Sequence, residues 1–260
     1  MLTAAALCPA PPLLARELTG ADPVVPELRQ ACLDAATDLL QSDPDMIAVV
    51  GPGEQTRAFG ALGRLDLAAY APALALRRLD GSALDGSGLD RDAQPLPLPL
   101  GLGCRLLDQA GYAGQLALHT VSDRAGAADC AALGARLAAT VARVALLVMA
   151  DGSARRGLKA PGYLDERSFP FDTQVTEAIR AGDMAALLTL DASLARDLMA
   201  TGRPAWQVLA GAMGEQRPVS VIRYCDDPFG VAYLVATLSP QHDANPTSGR
   251  ERGGDWPDRP

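Results

Sequence analysis

The sequence predicts an α/β fold: a single domain with a central, mostly parallel sheet flanked by helices and a β-hairpin near the C-terminus. Three observations carry this. Apolar runs of strand length alternate with stretches of helical periodicity along the chain. The run Val144–Met149 is continuously apolar and is stopped by Asp151-Gly152-Ser153, which is how a buried parallel strand ends. A chain of 260 residues with 48% hydrophobic content also has enough apolar material for a substantial core. The predicted domain spans 1–238. Residues 239–260 are polar and rich in Pro and Gly, with Trp256 as their one large apolar side chain, and are expected to form a disordered tail.

Thr3–Cys8 reads as the first strand, ended by Pro9-Ala10-Pro11-Pro12 because proline cannot continue a ladder. From Pro26 to Leu40, Leu28, Cys32, Ala35, Ala36 and Leu39 recur at helical spacing and Glu27 sits near the positive amino end. Asp43-Pro44-Asp45 closes that helix. Met46–Val50 is the second strand, and Gly51-Pro52-Gly53-Glu54 is expected to turn out of it. Strand, helix and strand in this order imply parallel pairing through a right-handed crossover. The segment Ala58–Pro99, with Arg77-Arg78, the Asp/Gly/Ser stretch Asp80–Asp92 and a repeated Pro-Leu, should hold loops and short edge pieces. Leu100–Ala110 reads as a helix ending at Gly111, Gln115–Val121 as a strand carrying His119, and Ala127–Ala139 as an Ala-rich helix leading into Val144. Phe171–Arg180 and Met184–Met199 follow as two helices separated by Gly182-Asp183, with Asp183 as an N-cap, and Pro204–Met213 as a third. Val219–Tyr224 and Val231–Leu238 should pair as the hairpin.

The net charge of −8, from 31 acidic and 23 basic side chains, argues against broad binding to nucleic acid or to an anionic membrane, since both require a basic face. Lys159 is the sole lysine. Five widely spaced cysteines, Cys8, Cys32, Cys104, Cys130 and Cys225, include no C-x-x-C pair, which fits reduced thiols in a cytoplasmic protein better than a disulfide framework or a zinc knuckle. Met1–Cys8 lacks a basic leader and is followed by prolines, a poor signal peptide, and no run approaches the ~20 apolar residues of a membrane helix.

In an open α/β sheet the loops past the carboxyl ends of the strands form the ligand crevice. Asp151-Gly152-Ser153 can present successive backbone amides, and Arg155, Arg156 and Lys159 follow at once, so a small anion is expected there. Pro161-Gly162-Tyr163 is then placed to cover it, with Asp165 and Glu166 orienting the arginines. The alternative is a turn whose arginines pair with surface acids. Gly51-Pro52-Gly53 lacks the spacing of a phosphate-binding fingerprint and reads first as a turn. His242 falls in the tail, leaving His119 as the candidate acid or base, against the plainer role of a hydrogen-bonded structural histidine. Ser153 is not in a G-x-S-x-G elbow. Asp226 and Asp227 are either a cation site or solvated acids of a connection, with Cys225 a weak thiolate candidate beside them. Trp206 either anchors a homo-oligomer contact or packs in its own core.

Four stretches, CPAPPLL after the first strand, VVGPG at the second, DGSARRGLKAPGYLDERSFPFD after the central strand and DDPFGVAYLVATL near the end, resemble the class III extradiol ring-cleavage dioxygenase superfamily, specifically its catalytic B-subunit type, to which Memo-like proteins are related. The resemblance spans roughly Leu2–Leu238 and is nearest to a small-chain branch. It implies non-haem Fe(II) held by two histidines and a glutamate, with a further histidine as acid/base catalyst. The first iron histidine would fall at Ala10, the second among Gly53, Glu54 and Gln55, and the acid/base histidine within Asp151–Arg155, where this chain has none. Fe(II) of this kind needs two imidazoles and a carboxylate on one face. Glu54, His119 and Asp226 make an improvised set only if they converge.

The expectation is therefore a relative of these dioxygenases that lacks the usual iron ligands, carries no metal, and binds a small acidic ligand or a partner segment in the crevice between Ala10, Gly53 and Ser153. The site residues expected are Gly53, Glu54, Ser153, Arg155 and Arg156 for the ligand and His119 and Asp151 for catalysis. The competing expectation is an oxidoreductase of the same superfamily with an altered Fe(II) site, or a metal-free enzyme using His119.

Overall fold

The computed structural model describes residues 1–20, 24–61, 63–67, 69–70 and 94–240. Arg77-Arg78, the stretch Asp80–Asp92, His242, Trp256 and nearly all of the expected tail lie outside the described residues. In chain order the elements are β1 Leu2–Cys8, α1 Arg16–Thr19, α2 Pro26–Gln41, β2 Met46–Gly53, β3 Arg57–Phe59, β4 Gly63–Leu65, β5 Gln94–Leu96, α3 Leu98–Gln109, β6 Gln115–Ser122 and α4 Ala127–Ala138. They continue with β7 Val144–Met149, α5 Ser168–Ala181, α6 Met184–Leu188, α7 Ala192–Asp197, α8 Arg203–Met213, β8 Val219–Asp226 and β9 Tyr233–Ser239.

Among the described residues the main sheet has seven strands in the order β3-β6-β2-β7-β1-β9-β8, with β4 and β5 forming a separate parallel pair. The four inner strands β6, β2, β7 and β1 are parallel, and β3, β9 and β8 are antiparallel additions at the edges. β7 is central. All of its residues are buried, and they alternate between two cores: Val144, Leu146 and Val148 face α4, α5 and α8, while Ala145, Leu147 and Met149 face α2 and α3. That is why the run is uniformly apolar: a strand covered on both faces has no solvent side to mark with polar residues.

Handedness fixes where the ligand crevice lies. α2, between β1 and β2, and α3, between β2 and β6, both lie on one face, and the chain moves in one direction along the sheet. α4 carries it back from β6 to β7, and a right-handed crossover in the reverse direction must use the other face, where α4 indeed packs. β7 thus sits between β1 and β2, yet its following helices cover the opposite face from theirs. The carboxyl end of β7 is a topological switch point.

Several local readings are corrected. β2 does not turn out at Gly51 but continues to Gly53, pairing Gly51, Pro52 and Gly53 with Thr120, Val121 and Ser122 of β6. Proline is tolerated because the pairing of β2 with β7 stops at Val50–Val148, leaving one side of the strand unladdered. α3 begins at Leu98, earlier than Leu100, with Pro99 in its first turn, where a missing N–H does no harm. The expected helix Met184–Met199 is two helices, because the Asp191 carboxylate caps α7 by accepting from Ser193 and Leu194 N–H. Asp183 caps α6 through Ala186 N–H, as its position predicts. β9 starts at Tyr233 and runs to Ser239, one residue beyond the expected domain boundary. Trp206 is 2% exposed and packs in its own core beside Phe171, Val175 and Leu234, so it does not anchor a contact between copies.

α4 and α8 cross with their backbones nearly touching. A Cβ on Gly134 would stand 2.0 Å from the Val208 carbonyl oxygen, and one on Gly211 would stand 2.1 Å from the Ala131 carbonyl oxygen. No described helix is long and apolar enough to cross a membrane.

Candidate functional site

The switch point is occupied by Asp151. β1 and β7 stay paired one step beyond the strands, Ala150 N–H donating to the Cys8 carbonyl at 2.8 Å, and the Ala10 N–H then donates to Asp151 Oδ1 at 2.8 Å. The Asp151 backbone is pinned from the other side, its carbonyl accepting Gly202 N–H at 2.9 Å. Surrounding atoms desolvate the carboxyl and push it up to about 6, only partly offset by the Ala10 N–H. The residue nevertheless keeps part of its surface open to solvent. A group hemmed in yet reachable is what the floor of a crevice looks like. Two phenols feel it: Tyr233 and Tyr70 are both pushed up, first by burial and then by the Asp151 charge.

The next residues of the loop form a buried clamp. Ser153 is fully buried, its N–H donates to Asp172 Oδ1 at 2.9 Å and its hydroxyl donates to Asp172 Oδ2. Arg156 bridges this carboxylate to the hairpin, with Nη1 at 3.2 Å from Asp172 Oδ2 and Nε at 2.5 Å from Asp227 Oδ2, while its guanidinium lies 4.6 Å from the centre of the Phe169 ring. Burial raises the Asp172 carboxyl, with Ser153 and Arg156 pulling against it. Gly152 N–H donates to the Ala232 carbonyl and Ala232 N–H to the Ser153 carbonyl, each at 2.9 Å, so the loop is laced to the strand that follows the hairpin connection. There is no room for a side chain at Gly152, where a Cβ would meet that of Ala232 at 2.7 Å.

The expected anion site is not built this way. Arg155 donates to the Gly162 carbonyl at 2.6 Å and the Asp197 carbonyl at 2.9 Å and lies 3.7 Å from Asp165. Arg156 is committed as described, and the buried Ser153 hydroxyl is spent on Asp172. Lys159 points to solvent, and Tyr163 is 73% exposed and covers nothing. Asp165 does orient arginines, holding Arg167 at 2.8 Å as well as Arg155. Of the plainer reading, surface pairing with Asp165 and Glu166, the geometry shows the Arg155–Asp165 contact, whereas Arg156 pairs with Asp172 and Asp227 instead.

His119 and Asp151 are not brought together. His119 is level with Val50, and Val50 with Val148, so along the strand it lies three residues short of Asp151 and two strands aside, a separation of roughly 14 Å from ordinary strand spacings. It sits on the α4 face, where burial and then the Arg136 charge lower its pKa. The set Glu54, His119 and Asp226 fails for the same kind of reason. β6 and β8 are five strand positions apart, roughly 24 Å, and Glu54 is exposed. At the positions the dioxygenase resemblance assigns to iron, Ala10 offers only its N–H, already given to Asp151, and the space beside Gly53 is filled by Thr120, 2.7 Å from where a Cβ would stand. These residues do not fit a two-histidine, one-carboxylate centre. No group of three or more His, Cys, Asp or Glu among the described residues is placed to hold a metal ion.

Asp172, Tyr233 and Tyr70 were not legible as site residues. Asp172 reads as an ordinary acid in the first turn of a helix and Tyr233 as one more large residue of an apolar strand, and neither carries a spacing signal.

No family model matches the chain, and no curated protein matches it. Among solved structures it is similar to the crystal structure of the uncharacterized protein JW3007 from Escherichia coli K12, with a TM-score of 0.51 and 14% identity, covering 91% of this chain and 99% of that one. At that identity the likeness establishes the fold: an α/β domain with a mixed sheet, parallel at its core, flanked by helices.

Proposed function

We propose that this chain is a small-ligand-binding protein on a fold of the class III extradiol dioxygenase type, working without the iron centre and receiving its ligand at the carboxyl end of β7. The observation that carries this reading is Asp151, a carboxyl at the switch point of the sheet, desolvated enough to titrate at about 6 and still reachable by solvent. Near neutral pH such a group can lend a hydrogen bond as an acid or accept one as a carboxylate, which suits a ligand carrying an oxygen acceptor or a hydroxyl. The test is metal analysis of protein purified without chelator, together with an assay for catechol ring cleavage. Substoichiometric iron and no cleavage are expected. Stoichiometric iron with ring cleavage overturns the reading.

A second reading, an enzyme of the same fold with an altered centre, is favoured by the same titration value, since a general acid or base works best with a pKa near the operating pH. In that case Asp151 takes the role first given to His119. Any turnover found in a substrate screen should fall at least ~100-fold in Asp151→Asn and survive His119→Ala, general acid–base groups contributing on that order.

A further inference from the structure

We infer that the apolar patch built by the loop after β7, the start of α5, the α7–α8 turn and the β8–β9 connection is the surface through which two copies of this chain associate about a two-fold axis. Six of the ten large hydrophobic side chains exposed among the described residues fall there: Leu158, Tyr163, Leu164, Phe169, Met199 and Phe229, each between 40% and 79% exposed. They are neighbours. Arg156 N–H donates to the Gly230 carbonyl at 3.0 Å, and a Cβ on Gly230 would stand 2.6 Å from that of Ala160, so the turn carrying Phe229 lies on the turn carrying Leu158. The Arg156 guanidinium, 4.6 Å from the centre of the Phe169 ring, joins that residue to the same place. At the other end of the loop a Cβ on Gly162 would stand 2.7 Å from Met199 Sδ, which puts Met199 beside Tyr163, with Leu164 next in the chain.

Area and charge identify the occupant. At roughly 200 Å² for a large side chain, these fractions leave about 600 Å² of mostly apolar surface in water, about the largest patch a lone monomer carries. It suits the apolar centre of an interface that, with its polar rim, takes about 800 Å² from each partner. The chain as a whole carries a net charge of −8, so two copies repel each other over most of their surface. The rim of this patch is mixed instead: Lys159, Arg167 and Arg196 are exposed beside Glu166 and Asp197. A rim of both signs can face its own copy across a two-fold axis with opposite charges meeting, whereas an anionic membrane is repelled by the same acids. Backbone strain points the same way. Tyr163 and Met199 hold left-handed backbone, φ 59° and 55°, where glycine is the default and bulky side chains are disfavoured. The fold accepts that strain to turn two large side chains outward, and burial against a partner offsets it. The outer strand β8 also exposes Val219 and Val221, but its register shifts between Ile222 and Tyr224 with Arg223 at the break, features that oppose edge-to-edge pairing.

Sedimentation equilibrium of the full chain at micromolar concentration tests this, and a dimer is expected. Leu158→Asp and Tyr163→Gly, both at exposed positions, should each weaken the dimer at least ~10-fold, the loss expected of a central apolar contact. Glycine relieves the left-handed backbone at 163, so Tyr163→Gly should melt no lower than wild type when both are diluted to monomers, which separates lost association from lost folding. Val221→Asp, on β8, should leave the dimer intact. A monomer at all concentrations, a dimer that survives both patch variants, or a dimer broken by Val221→Asp would each overturn the assignment. So would a monomeric wild type that floats with vesicles of mixed phosphatidylcholine and phosphatidylglycerol, an outcome that gives the patch to a membrane surface.

Discussion

Above about pH 6 the fold would be more stable without the charge of Asp151. The folded protein binds its proton more tightly than the unfolded chain does, because its value rises from 3.8 to about 6. Its stabilising contribution is therefore fully present below the unfolded value and is lost as the pH rises through about 6; above that the ionised group weighs on the fold by about 3 kcal/mol. Asparagine keeps the oxygen that accepts the Ala10 N–H and removes the charge. Asp151→Asn is thus expected to melt higher than wild type at pH 8, by about 5 °C or more for a chain of this size, and to show no such advantage at pH 4. Thermal melts at the two pH values measure this, and parallel curves would mean that Asp151 is an ordinary solvated acid. Asp172 is the opposite case, a buried carboxylate whose partners need it. Asp172→Ala strands the Ser153 N–H, the Ser153 hydroxyl and the Arg156 guanidinium, and should lower unfolding free energy in urea by about 3–5 kcal/mol. A loss under 1 kcal/mol would show that water replaces the carboxylate readily.

At the scale of elements the decisive contact is the α4–α8 crossing. Gly134 and Gly211 let two backbones meet, and the short distance seats α8, and with it Gly202 and Trp206, against the loop that carries Asp151. Gly134→Ala forces a methyl group against the Val208 carbonyl, so the helices must part. The expected loss is about 1–3 kcal/mol despite the better helix propensity of alanine, read by denaturant unfolding. A neutral or stabilised variant would contradict this packing. The same elements show what was legible in the chain. β1, α2, β7, α5 and the hairpin follow from periodicity and stop signals, because each has one dominant pattern that burial enforces. The break between α6 and α7 did not follow, since Asp191 sits in a run that otherwise keeps helical spacing and its capping role depends on where its side chain points. Pro52 misled in the other direction. Proline between glycines reads as a turn, and only the registers of β6 and β7 show that one side of β2 is free there.

Across the whole molecule, right-handed crossovers decide the site before any side chain does: reversing direction at β6 sends α4 to the opposite face and leaves the end of β7 between loops that diverge. The end of the central strand, where the sequence expects the crevice from an apolar run stopped by Asp151-Gly152-Ser153, is the point where these loops diverge. The chemistry of the site was not readable from the sequence, because the basic residues that advertise an anion site turn out to be satisfied by Asp165, Asp172, Asp227 and backbone carbonyls, partners that lie far along the chain or in the turn itself. What remains at the crevice is a desolvated carboxyl beside two phenols. The most direct test is a thermal-shift screen of small oxygen-bearing molecules against wild type, Asp151→Asn and Asp151→Ala, with Arg155→Ala as a control outside the crevice. Compounds that stabilise wild type should lose most of their shift in Asp151→Ala, lose part of it in Asp151→Asn, and keep it in Arg155→Ala, since stabilisation follows RT ln(1 + [L]/Kd). If the same compounds shift all four proteins equally, Asp151 does not meet the ligand and the proposed site is wrong.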